Sequence, residues 1–178
     1  MSQWILLLII VVALPGNSWV KNDVRASKSW VFFRDANVVK QSTDYSCGAA
    51  SLATILTYHF NQPTTEAEIL LAMELDGKSS LMDLKLVAQS FGFRALGIQG
   101  NMDAVKALKI PVIVHLNYKG QDHFSVVHAT SNEYIHLADS SWGNRKLRDH
   151  RFEQLFYTNQ DGEKQSGHML LILPKKII

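Results

Sequence analysis

Apolar positions follow a helical spacing in the first half of the chain and a strand spacing in the second. From Ala49 to Phe60, the residues Ala49, Ala50, Leu52, Ala53, Ile55, Leu56 and Phe60 form a broad apolar face, which predicts a helix opening at Cys47 and stopped by Asn61 and Pro63. Thr65 and Glu68 have the spacing of a capping box and start a second helix with Ile69, Leu70, Met73 and Leu75 inward, ended by Asp76 and Gly77. Ser80 with Asp83 starts a third, with Leu81, Leu84, Val87 and Ala88 inward and Gly92 as its stop. Before these helices, Ser29–Phe33 and Asn37–Lys40 are rich in strand formers and predict two short strands.

The period then changes. Phe93–Gln99 predicts a strand, and Asn101 caps a short helix over Met102–Leu108. Pro111–Asn117, His123–Thr130 and Tyr134–Ala138 alternate and are β-branched; separated by short turns, they predict an antiparallel meander. Phe152–Tyr157 reads as a last short helix and His168–Pro174 as a closing strand. Helices first and an antiparallel sheet second make an α+β fold, with the helices packed on one side of the sheet.

At 178 residues, 47% apolar and 19% charged, the chain suits one domain with a substantial core. The formal net charge is +2, and no Lys/Arg cluster is interleaved with aromatics, so no nucleic-acid partner is implied. Residues 1–18 are set apart. Trp4 to Leu14 is apolar and charge-free, and Pro15, Gly16, Asn17 and Ser18 follow, as in a signal peptide cut after Ser18. The n-region has no Lys or Arg, so an uncleaved N-terminal anchor stays open; either way the expected location is outside the cytoplasm, in a periplasm. Residues 19–37 read as a tether and 38–178 as the domain. Gly77-Lys78-Ser79 has the ending of a phosphate-binding loop, but Ala72 stands where that motif needs glycine, which leaves an interhelix turn.

Cys47 is the single cysteine, so no intramolecular disulfide can form. A thiol at a helix N-terminus is biased toward thiolate, the nucleophilic form. The unpaired amides of that first turn can bind a developing oxyanion, with the Gln41 side chain as a second donor. Burial as a small apolar residue is the competing account of Cys47. Of seven histidines, His59 lies roughly 18 Å along the same helix and cannot reach the thiol. His150 and His168 have no acid placed at a strand end beside them. His123 opens a strand after a turn, and Asp139 ends the following strand, so antiparallel pairing can bring the two together. The acid would then hold the imidazole tautomer and stabilise its charged form. One cysteine and scattered histidines give no zinc-ligand spacing, and no cofactor is implied.

With Gln41 to Cys47-Gly48, His123-Phe124-Ser125-Val126-Val127 and Asp139-Ser140-Ser141-Trp142-Gly143 in place, the chain resembles the C39 peptidase family, the papain-like cysteine proteases that process bacteriocin precursors. The stretch from Ser79 to Gly92 and the Pro111–Val114 strand fit the same pattern, over roughly Val38 to Pro174. The resemblance implies a papain-like α+β fold, Cys47 as nucleophile, His123 as base, Asp139 as its orienter, and Gln41 with the Cys47 amide as oxyanion hole. It implies a peptide or protein substrate, with a double-glycine-type site in many members, and a link to a secretion system. The sequence has no transporter bundle or ATPase and is similar rather to free-standing exported members, such as the one of the functional-amyloid (Fap) system. Two other functions fit the same residues: a leader-binding module that does not cut, and an acyltransferase with an amine in place of water.

Overall fold

The computed structural model describes residues 29–73, 78–158 and 165–175. Its elements run α1 (Trp30–Arg34), α2 (Cys47–Tyr58), α3 (Glu66–Met73), α4 (Leu81–Ser90), β1 (Arg94–Gly100), α5 (Met102–Ala107), β2 (Val112–Tyr118), β3 (Gln121–Thr130), β4 (Tyr134–Asp139), β5 (Gly143–Arg148), α6 (Asp149–Phe156) and β6 (Gly167–Leu173). The six strands form one antiparallel sheet in the order β1-β6-β2-β3-β4-β5, with the chain's last strand inserted between β1 and β2. The fold class is α+β, as expected from the sequence.

Alternation along the central strands gives the sheet two covered faces. Ile113, Phe124, Val126, Leu170 and Ile172 join the core beneath α2, α3 and α4, together with Leu52, Leu56, Ile69 and Leu84. Val112, Val114, Leu116, Val127 and Met169 face the other way, onto Met102 and Val105 of α5 and Phe152 and Phe156 of α6. This corrects the expectation of helices on one side only. Two short helices far along the sequence seal the second face, which explains why the central strands are so uniformly apolar.

Both strands expected before Gln41 are absent. Ser29 caps a helix instead: its Oγ accepts from the Phe32 amide at 3.3 Å, and the Asp35 N–H reaches Val31 O at 2.9 Å. The cap overrides the strand preference of the aromatic run. Asn37–Lys40 is a loop that bends at Asn37, φ +57°. Its amides find other partners, Val39 N–H donating to Thr54 Oγ1 at 3.0 Å. The expected signal segment, most of the tether, Leu75 and the Asp76–Gly77 stop lie outside the described residues.

The β2–β3 turn is tighter than expected. Lys119 and Gly120, both at positive φ, close a two-residue hairpin. β3 therefore begins at Gln121, and His123 is its third residue, opposite Leu116. The edge strand β5, Gly143 to Arg148, was not foreseen. Only Gly143 and Leu147 are buried along it; the rest are polar or charged, as befits a sheet edge, and give no apolar signal.

Candidate active site

α2 begins at the nucleophile candidate itself. Ser46, the N-cap residue, makes no capping bond to the helix. Its Oγ donates to Thr43 O at 3.0 Å and accepts from Thr43 N–H at 3.1 Å, which ties the approach loop. The first-turn amides of α2 are thus left for another acceptor. Cys47 is buried, and its Sγ accepts from the Phe124 amide at 3.4 Å. Gly48 permits this close seat: a Cβ there would stand 2.4 Å from Ser79 Oγ and 3.1 Å from the Phe124 ring.

β3 and β4 bring the other two residues in. Val126 pairs with Ala138, so the strand ends that follow in each direction carry His123 and Asp139 to the same edge. His123 Nε2 lies 3.1 Å from Asp139 Oδ2. Asp139 is fully buried, and its Oδ1 accepts from the amides of Ser141 at 2.9 Å and Trp142 at 3.1 Å. These turn bonds fix the carboxylate before it meets the ring. With Nε2 held by Asp139, Nδ1 is the ring nitrogen left to serve the thiol.

The electrostatics of the three groups agree with one another. Burial raises the Cys47 thiol, but the hydrogen bond and charge of His123 and the amides of Phe124 and Gly48 outweigh it, and the net direction is down. Burial lowers His123, yet Asp139 and Cys47, by hydrogen bond and by charge, push it up to about 9. Burial raises Asp139, and His123 with the Trp142 and Ser141 amides brings it below its usual value. All three shifts favour a thiolate beside an imidazolium, with a carboxylate behind.

Gln41 sits on the same turn. Its backbone N–H donates to Ser140 O at 3.3 Å. Its Oε1 accepts from the hydroxyls of Ser140 and Ser141, each at 2.7 Å. Its Nε2 donates to Thr43 O at 2.8 Å and retains a second hydrogen. Sequence reasoning named Gln41 but missed the two serines that fix which end of its amide donates.

Two aromatic rings flank the histidine and were also missed. The Trp142 ring centroid is 5.6 Å from that of His123, and the Tyr118 centroid 5.7 Å. The remaining histidines lie in other settings. His59 caps the far end of α2, His115 pairs with Asp122 at 3.0 Å, and His128 faces His136 across β3 and β4.

Comparison with known proteins places this geometry. Residues 35–160 match the peptidase C39 family. The chain is 34% identical over 142 residues to a protein of Pseudomonas aeruginosa named probable functional amyloid protease FapD, covering 75% of this chain and 62% of that protein. A protein of the same name from Pseudomonas fluorescens is 31% identical, with 77% and 63% covered. The chain thus spans a little under two thirds of the length of these two relatives. Among solved structures, a double glycine motif protease from an AMS/PCAT transporter, in complex with the leader peptide, superposes with a TM-score of 0.65 at 24% identity, over 77% of this chain and 90% of that one. The peptidase domain of Streptococcus ComA gives 0.64 at 21%, over 77% and 97%. Both share the fold, and with the family match over most of its length the chain belongs to the peptidase C39 family, a family of cysteine-type peptidases.

Proposed function

We propose that the protein is a cysteine endopeptidase that cuts an exported or leader-bearing polypeptide, with Cys47, His123 and Asp139 as its catalytic set. The observation that carries this reading is the His123 ring held 3.1 Å from the buried Asp139 carboxylate, with the Cys47 thiol drawn below its ordinary value by that same histidine. The Cys47 thiolate attacks the peptide carbonyl carbon, and the carbonyl electrons move onto oxygen. The first-turn amides of α2 and the free Nε2 hydrogen of Gln41 receive that oxyanion. The tetrahedral centre collapses as the imidazolium passes its proton to the leaving nitrogen, which gives a thioester and a free amine. Water then gives a proton to His123 and adds to the thioester, and the thiolate leaves, restoring the ion pair. Asp139 keeps the ring oriented and its charge favourable throughout.

The names of the Pseudomonas relatives support a substrate among functional-amyloid polypeptides, and the leader peptide bound to the transporter protease supports a peptide substrate. The apolar Trp4–Leu14 run supports a site of action outside the cytoplasm, in a periplasm, with the segment either cut or kept as an anchor. The test is direct. The full-length protein and Cys47→Ala are incubated with peptides that span a Gly-Gly site, and products are read by mass spectrometry. Cleavage by the natural protein alone is expected. Intact peptides, together with a Cys47 that labels like an ordinary thiol, would overturn the reading.

A further inference from the structure

We infer that the substrate residues following the cut bond run across Trp142 into a cavity that selects an acidic side chain, with Arg145 as its cationic partner. The inference rests on the peptidase reading above, because the chemistry supplies the direction. The carbonyl carbon must sit at Cys47 Sγ, and the departing nitrogen must take its proton from His123. The nitrogen therefore lies on the His123 side of the sulfur, and the chain that continues from it passes beside the imidazole.

What stands beside the imidazole is Trp142, half exposed, with Tyr118 packed at 5.3 Å between ring centroids. Past Trp142 opens a cavity of about 530 Å³, lined by Trp30, Arg34, Tyr118, Trp142, Asn144 and Arg145. Its polar groups differ in what already satisfies them. Arg34 is held by both carboxylate oxygens of Asp35, at 2.8 and 2.5 Å. Asn144 donates to Ala36 O at 2.7 Å. The Arg145 side chain has no carboxylate and no hydrogen-bond partner among the described residues; its guanidinium lies 4.8 Å from the Trp142 ring centroid. The Tyr118 hydroxyl is buried and also lacks a hydrogen-bond partner among the described residues.

The lining thus holds one uncompensated cation and one orphan hydroxyl, and it contains no carboxylate. The guanidinium lies within cation–π reach of the indole, and its N–H groups have no protein partner among the described residues, so they are open to a carboxylate. The indole face accommodates the methylenes of Asp or Glu. α1 supplies two of the walls, Trp30 and Arg34, and it lies before residue 35, where the family match begins. The far side of this cavity is therefore built by a segment outside the matched region.

The experiment profiles cleavage sites. Full-length protein acts on a proteome-derived peptide library with blocked amines, and the new N-termini are sequenced by mass spectrometry, with Cys47→Ala as control. Asp or Glu is expected to be enriched within the first few residues after the cut. Arg145→Gln is expected to lower that enrichment roughly fivefold, the scale of one partly solvated ion pair, and Arg145→Glu to favour Lys or Arg there instead. Residues before the cut are expected to stay the same in all three proteins. Cuts without acidic enrichment, or an enrichment that survives Arg145→Glu, would overturn the subsite and leave the peptidase reading standing. No new N-termini above the Cys47→Ala control would overturn the peptidase reading, and this inference with it.

Discussion

The Ser140 hydroxyl meets Gln41 Oε1 at 2.7 Å, although the two residues stand 99 positions apart. Ser141 does the same at 2.7 Å, and the Gln41 amide returns a bond to Ser140 O. The turn that carries Asp139 therefore also sets the Gln41 side chain. One short segment, Asp139 to Trp142, holds the proposed base, His123, on one side and the proposed oxyanion donor, Gln41, on the other.

That coupling gives the first prediction. Gln41→Ala is expected to lower kcat about a hundredfold with little change in KM, the usual loss for one oxyanion donor. Ser140→Ala with Ser141→Ala leaves Gln41 present but frees its amide to turn, so the pair is expected to lose a smaller share of kcat. Adding Gln41→Ala to the two serine changes is expected to cost no more than Gln41→Ala alone. Steady-state kinetics of the four proteins test this, and full additivity would separate the serines from Gln41.

The acid–base pair gives the second. Activity requires thiolate with imidazolium, so its lower limb follows Cys47, which lies below an ordinary thiol, and its upper limb follows His123, at about 9. Iodoacetamide labelling of Cys47 is expected to be fast at neutral pH, and in His123→Ala to move to the alkaline range of a free thiol. Stability is expected to behave differently. The native pair carries its proton on nitrogen, whereas between pH 6.5 and about 9 the unfolded chain carries it on sulfur, so both states bind one proton. Urea midpoints are accordingly expected to change little across that window in the natural protein.

Asp139 supplies the third. Its carboxylate raises His123 by hydrogen bond and by charge. Asp139→Asn keeps a hydrogen-bonding partner but removes the charge. The upper limb of the pH–rate profile is expected to fall by about one unit or more, with at least a tenfold lower kcat at pH 7. An unchanged upper limb would show that another group holds the imidazolium.

Much of this arrangement was legible in the chain. Cys47 at a helix start, and His123 and Asp139 on neighbouring strands, follow from local spacing and the meander, and the structure brings the three together. What escaped the reading depends on partners distant in sequence. The strand-forming side chains of Trp30 to Phe33 predict a strand where α1 stands, because its helix hangs on the Ser29 cap. β5 is polar because it is an edge, and so it carried no alternating signal. The role of Ser140 and Ser141 rests on a contact with Gln41 across the whole domain, which no local pattern encodes. α5 and α6 are legible as helices, but nothing local tells which face of the sheet they cover.

Gly143 joins the Asp139 turn to α1, and it yields the last prediction. The residue sits at φ +81° as the partner of Asp139 in the β4–β5 register. A Cβ there would come within 2.6 Å of Arg34 O and 2.5 Å of Asp35 Oδ1. Gly143→Ala therefore meets a left-handed backbone and a clash with the Arg34 carbonyl oxygen, which α1 can relieve only by leaving β5. A loss of about 2–4 kcal/mol is expected in urea unfolding, from the sum of the two effects. Gly97→Ala is the matched control, since nothing lies within 4 Å of its Cβ position, and it is expected to leave stability unchanged or slightly raised. The Cys47 labelling profile offers a second reading of the same variant. His123 is carried by β3 and Asp139 by β4, so displacement of α1 alone would leave the profile in place while the acidic preference after the cut is lost. A labelling profile that shifts with Gly143→Ala would instead show that the Asp139 turn had moved with it.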